Sequence, residues 1–245
     1  MVCILLAAGY ATRLYPLTEN MPKALLPLGK KTILDTVVDK IEQVKDIEDI
    51  YIVTNDRFYE HFKKWADDFS GTKRVGVLND FTTDNSNRLG AIGDLQYTVT
   101  HYKIDDEILV MASDNIFDFS LNDFVKLYRE KNSDTICVNR VDNTEELRTM
   151  GVAELDGEFR VVGFEEKPKE PKTNIGVSPF YLYKRETVPM IKEYLDEGNN
   201  KDAPGNFIPW LINKKPVYAF ITEGMRIDIG TPDSYKEAQR LFESQ

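Results

Sequence analysis

Short apolar runs alternate with amphipathic stretches through the first half of the chain. Ile4–Leu6, Ile50–Val53 and Ile108–Ala112 are continuous and rich in branched residues, the pattern of strands buried on both faces. Between the first two, Ile33, Leu34, Val37, Val38, Ile41 and Val44 recur at three- and four-residue spacing and predict a helix with one apolar face. Phe58–Phe69, Gly93–Thr100 and Leu121–Lys131 predict three more helices. Strand, helix and strand in this order imply an α/β fold: a mostly parallel twisted sheet with right-handed crossovers and helices on both faces.

The pattern changes after the strand expected at Thr135–Asn139. Gly151–Leu155 and Arg160–Phe164 flank Asp156-Gly157, a strong hairpin signal, and Phe180–Tyr183 and Val217–Phe220 add further strands. The C-terminal half should therefore append antiparallel pieces to the sheet. Thr231-Pro232-Asp233-Ser234 places a capping hydroxyl before a proline and opens a last helix running to Phe242. No internal repeat, low-complexity tract or linker interrupts residues 1–245, so a single domain is expected.

Composition narrows the classes of function. The formal net charge of −10 speaks against a nucleic-acid or anionic-membrane surface, but leaves room for a local basic pocket. Cys3 and Cys137 both lie in apolar runs, as buried thiols of a reduced cytoplasmic protein would. No apolar run approaches the roughly 18 residues needed to span a bilayer. His61 and His101 have no acidic or thiol partners at ligand spacing.

Chemistry concentrates directly after the first strand. The segment from Ala7 to Pro27 places a turn at Gly9, a hydroxyl at Thr12 and the cations Arg13 and Lys23 where a buried strand ends. Such a loop can offer backbone N–H groups and fixed positive charge to a polyphosphate. Its spacing is neither a Walker A loop nor a dinucleotide fingerprint. Asp114 follows the strand Ile108–Ala112, and by residue type alone it is either a Mg²⁺ ligand or a cap for the next turn.

Gly9, Thr12, Arg13, Leu14, Pro16, Thr18, Pro22 and Lys23 together resemble the G-x-x-[ST]-R-L-x-P-x-T and P-K signature of the sugar-1-phosphate nucleotidyltransferases. Three further segments match in order: Ser113-Asp114-Asn115, Glu166-Lys167-Pro168, and Asp228-Ile229-Gly230-Thr231-Pro232. The resemblance covers nearly the whole chain and implies a Rossmann-like nucleotidyltransferase, in a compact form without the β-helical tail of larger relatives. The reaction implied is transfer of NMP from an NTP to a sugar-1-phosphate or related phosphorylated acceptor, releasing pyrophosphate.

By the same resemblance, Leu6, Ala7, Ala8, Gly9, Thr12, Arg13, Lys23, Gly90 and Asp114 bind the nucleotide. Arg13, Lys23 and Lys167 carry catalysis, and Asp114 and Asp228 hold Mg²⁺. Gly151, Glu166, Lys167, Asn174, Gly176 and Arg226 bind the acceptor. Asn85, Asn87 and Arg88 could donate to the base. Arg226 stands where the family usually has Trp, which points to an acceptor other than plain glucose 1-phosphate. Nucleic acid and membrane are not expected partners, and formation of a homo-oligomer is left open. Two other readings compete: a metal-dependent glycosyltransferase, and a catalytically silent nucleotide-binding regulatory domain of the same fold.

Overall fold

The computed structural model describes residues 1–243. In chain order the first strands are β1 (Val2–Leu6), β2 (Pro27–Leu28), β3 (Lys31–Thr32), β4 (Asp49–Thr54), β5 (Arg74–Asn79), β6 (Ile108–Ala112) and β7 (Asn115–Phe117). They continue as β8 (Asp134–Arg140), β9 (Gly151–Leu155), β10 (Val161–Glu166), β11 (Ile175–Tyr183), β12 (Val217–Ile221) and β13 (Arg226–Asp228). The helices are α1 (Ile33–Glu42), α2 (Tyr59–Asp68), α3 (Ala91–Tyr102), α4 (Leu121–Lys131), α5 (Thr144–Leu147), α6 (Val188–Asp196), α7 (Phe207–Leu211) and α8 (Pro232–Glu243). Two compact units emerge: one built from residues 1–88, 112–121 and 224 onward, the other from 89–111 and 122–223.

The first unit carries the parallel sheet. β1 pairs with β4 and β4 with β5, all parallel, with Leu6 opposite Val53 and Val53 opposite Leu78. The β1 residues Cys3, Ile4 and Leu5 are wholly buried, which is why their run shows no polar alternation. Helix α1 buries Ile33, Leu34, Val37, Val38 and Ile41, each such side chain contributing roughly 2 kcal/mol of transfer free energy. Its start is closed by a capping box: Asp35 N–H donates to Thr32 Oγ1 at 3.1 Å and Thr32 N–H donates to Asp35 Oδ2 at 2.7 Å. Strand β5 was not expected from sequence, because Gly76 interrupts the apolar positions of Arg74-Val75-Gly76-Val77.

A small antiparallel ribbon in this unit positions the acidic residues. In it β7 pairs with β13, bringing Asn115 opposite Asp228 and Ile116 opposite Ile227. Helix α8 begins where the Thr231-Pro232 pair predicts, and Ser234 N–H donates to Thr231 Oγ1 at 3.2 Å. One apolar cluster underlies Leu14, Leu26, Leu28, Ile33, Ile116, Ile227, Ile229, Tyr235 and Ala238. The loop after β1, the segment after Lys23 and the ribbon thus share one core.

The second unit is mainly antiparallel, matching the expected C-terminal additions. Strand β11 pairs antiparallel with β6, β8 and β9, β9 pairs antiparallel with β10, and β12 runs parallel to β8. The β9–β10 hairpin forms as expected, but across residues 156–160 and not a two-residue turn. Asp156 shapes that loop: its Oδ1 accepts from Glu158 N–H and Arg160 N–H, each at 2.9 Å. Helices α6 and α7, which sequence periodicity did not reveal, also belong to this unit. Cys3 and Cys137 are free and buried, as their apolar context implied.

Candidate active site

The loop leaving β1 is held from beneath and open above. Ala7 N–H donates to Val53 O at 2.9 Å, and Asn55 Nδ2 donates to Ala8 O at 3.0 Å. Ala11 adopts a left-handed conformation (φ 46°), and its carbonyl accepts from buried Thr18 Oγ1 at 2.8 Å. A short 3₁₀ turn over Thr12–Leu14 follows; Leu14 enters the apolar cluster and Arg13 is exposed. At Gly9 a Cβ would meet nothing within 4 Å, so the backbone there faces open space. A bare backbone turn beside an exposed guanidinium suits phosphate oxygens.

Five charged residues of the first unit, Arg13, Lys23, Asp114, Arg226 and Asp228, gather around this loop and the ribbon. Lys23 and Asp114 form a partly buried ion pair. Ser113 N–H and Oγ both bond Leu6 O, at 3.2 and 3.0 Å, which seats Asp114 at the carboxyl end of β1. Asn115 Nδ2 donates to Asp114 Oδ1 at 2.8 Å, and Ile229 N–H donates to Asp114 O at 3.2 Å. The Asp228 side chain is solvent-accessible but lies deep enough among protein atoms for desolvation to raise its pKa. The Asp114 charge raises it further, while Lys23, Arg226 and Arg13 pull it down.

Two carboxylates that repel one another's ionised forms are a fitting place for a hard divalent cation, which would relieve that repulsion. Among the described residues no group of three or more His, Cys, Asp or Glu converges. Asp114 and Asp228 are the residues that could hold such a cation.

In the second unit, Glu166 lies opposite Gly151 across the β9–β10 pairing. A Cβ at Gly205 would fall 2.2 Å from Glu166 Oε2, and one at Gly151 would fall 2.5 Å from Phe164 Cζ. The Glu166 carboxylate thus occupies a notch cleared by two glycines, and burial raises its pKa, partly offset by the Lys167 charge. Exposed Lys167 is left-handed (φ 50°), with its N–H donating to Met150 O at 3.1 Å. That conformation is uncommon for a residue with a side chain, and the hydrogen bond holds it. Asn174 is exposed, with its carbonyl taken by Val141 N–H at 2.9 Å. Gly176 is buried: a Cβ there would strike Met150 Sδ at 2.5 Å.

Gly90 (φ 80°) opens α3 against the chain of its own unit, with Ile92 N–H donating to Lys201 O at 3.0 Å. A Cβ at Gly90 would come within 2.6 Å of that same carbonyl, so close backbone approach explains the glycine. Asn87 Oδ1 accepts from Thr83 and Asp84 N–H groups at 3.1 and 3.2 Å, and so shapes its own loop. Tyr10 OH lies 3.3 Å from Thr82 Oγ1, tying the loop after β1 to the segment after β5. Sequence reasoning missed Asn115 and Gly205. Asn115 carried a signal, its place directly after Asp114; Gly205 carried none.

A family model for nucleotidyl transferases matches residues 2–245, and the chain belongs to that family. It is 29% identical over 242 residues to the bifunctional protein GlmU of Methanocaldococcus jannaschii, covering 99% of this chain and 54% of that protein. Against AglF of Haloferax volcanii, a UTP–glucose-1-phosphate uridylyltransferase, identity is 25% over 246 residues, covering 100% of this chain and 98% of that protein. A solved UDP-glucose pyrophosphorylase in complex with UDP-glucose superposes with a TM-score of 0.82 at 20% identity, covering 99% and 98% of the two chains. That structural likeness is one of fold and bears out the expected α/β class. The chain spans only about half the length of some curated relatives, 54% of one and 52% of another.

Proposed function

We propose that this protein transfers a nucleoside monophosphate from an NTP to a sugar-1-phosphate or related phosphorylated acceptor, releasing pyrophosphate. The observation that carries the reading is the Lys23–Asp114 ion pair beside Asp228, at the carboxyl end of β1 and next to a bare glycine turn with Arg13. An acceptor phosphate oxygen attacks the α-phosphorus, the bond to the β-phosphate breaks, and pyrophosphate leaves with the electron pair. The attacking oxygen is already anionic, so no general base is needed and catalysis is positioning plus charge neutralisation.

In this reading Arg13 holds the departing pyrophosphate through its planar fork, and Lys23 serves the α-phosphate after exchanging its Asp114 partner for it. Leu6, Ala7, Ala8, Gly9, Thr12 and Gly90 line the nucleotide. Lys167 takes the acceptor phosphate; Glu166 accepts from the acceptor's hydroxyls, with Gly151, Asn174 and Gly176 shaping their surroundings. Asp114 and Asp228 would hold Mg²⁺, which when bound withdraws charge from the α-phosphate. Free buried thiols support a reducing cytoplasmic setting, and among the described residues no helix is long and apolar enough to cross a membrane.

The test is pyrophosphate release, measured with four NTPs crossed against a panel of phosphorylated acceptors, with and without Mg²⁺. Release that requires both an NTP and an acceptor supports the reading. Hydrolysis of a nucleotide sugar without pyrophosphate release, or no turnover with any pair, overturns it.

A further inference from the structure

Arg226 and Asn115 form a feature of the ribbon that the reaction scheme leaves unused. Arg226 Nη1 donates to Asn115 Oδ1 at 2.7 Å, and Asn115 Nδ2 donates to Asp114 Oδ1 at 2.8 Å. The Asn115 amide is 2% exposed and has only one workable orientation. Flipped, it would turn its oxygen toward a carboxylate and its NH₂ toward a guanidinium. Arg226 and Asp228 are two apart on β13 and project to the same face. A guanidinium has five N–H donors, and Asn115 engages one nitrogen.

Lys23 is already paired with the Asp114 carboxylate, whereas Arg226 reaches that carboxylate only through the Asn115 amide. Arg13 and Lys23 come from the loop after β1 and are assigned to the triphosphate; Arg226 comes from the ribbon and is left for the acceptor. A fixed fork with spare donors binds a carboxylate or phosphate far better than a neutral hydroxyl.

We infer that Arg226 selects acceptors bearing a second anionic group besides the reacting phosphate, and that Asn115 is the positioning residue that aims it. The inference rests on the nucleotidyltransferase reading and narrows its acceptor class to phosphorylated molecules with a further carboxylate or phosphate.

The experiment measures KM and kcat for glucose 1-phosphate, glucuronic acid 1-phosphate and glucose 1,6-bisphosphate in the full-length wild type, Arg226→Met, Arg226→Lys and Asn115→Leu. Wild type should prefer the two doubly anionic probes. Arg226→Met should raise their KM about tenfold, the scale of one lost charge-assisted contact, and change the KM for glucose 1-phosphate and for the NTP far less. Arg226→Lys should recover part of the preference. Asn115→Leu should lose the preference too, and adding it to Arg226→Met should cost nothing further in selectivity, as for residues acting through one another. Wild-type turnover without this preference, or a preference untouched in Arg226→Met, overturns the inference alone. A rise in NTP KM in place of acceptor KM overturns it as well. Uniform loss of kcat across all probes in Asn115→Leu removes Asn115 from the scheme. No pyrophosphate release by wild type with any pair overturns the underlying reading, and this inference with it.

Discussion

Gly151 faces Glu166 across the β9–β10 pairing so closely that a Cβ at position 151 would lie 3.2 Å from Glu166 Oε2 and 2.5 Å from Phe164 Cζ. Gly151→Ala should therefore displace both side chains. We expect a stability loss of about 1–3 kcal/mol, typical of overpacking, with a raised acceptor KM and unchanged NTP KM. Thermal melting and steady-state kinetics check this together. An alanine that melts with wild type and keeps its acceptor KM would show that the notch has slack.

The acidic pair offers a second prediction. Asp114→Ala and Asp228→Ala should each lower kcat by at least roughly 10²-fold, since losing a metal ligand removes several kcal/mol of transition-state stabilisation. Both should fold, because each side chain is reachable by solvent and neither belongs to the core. Circular dichroism tests folding, and pyrophosphate release with and without EDTA tests the metal. Full activity in EDTA would remove the metal from the scheme.

Arg13 is exposed, and replacing it should leave the fold intact. Arg13→Ala should weaken NTP binding while sparing acceptor affinity, and Arg13→Lys should also be impaired, because a point charge does not reproduce the planar fork. Titration calorimetry with a non-hydrolysable NTP reads this directly; unchanged affinity would make the loop a structural element.

Glu166 supplies a pH test. Burial raises its carboxyl above the ordinary glutamate value of 4.5, with Lys167 partly opposing. The folded state thus holds this proton more tightly than the unfolded state. Its contribution is fully present below the unfolded value and is lost as pH rises through the higher folded one. Glu166→Gln should consequently melt above wild type at neutral pH, and the gap should close as pH falls toward and below 4.5. Melting curves across that range would show no such convergence if the carboxylate were well solvated.

Much of this structure is written locally. β1 and α1 follow from the spacing of apolar residues, because a strand buried on both faces and a helix buried on one each need that periodicity wherever they dock. The β9–β10 hairpin follows from Asp156-Gly157, and α8 from Thr231-Pro232, since turn and cap chemistry acts over a few residues. The order Arg13, Lys23, Asp114, Lys167, Asp228 was likewise legible, because a motif names residue types and their sequence. Other features are settled by residues distant in the chain. β5 depends on β4 accepting it, and the ribbon joins Asn115 to Arg226 across 111 positions. The room for Glu166 depends on Gly205, in a turn that no local pattern connects to β10. Packing and electrostatics act through space, so the partners of Arg226 and Glu166 become defined only when the chain has brought its distant segments together.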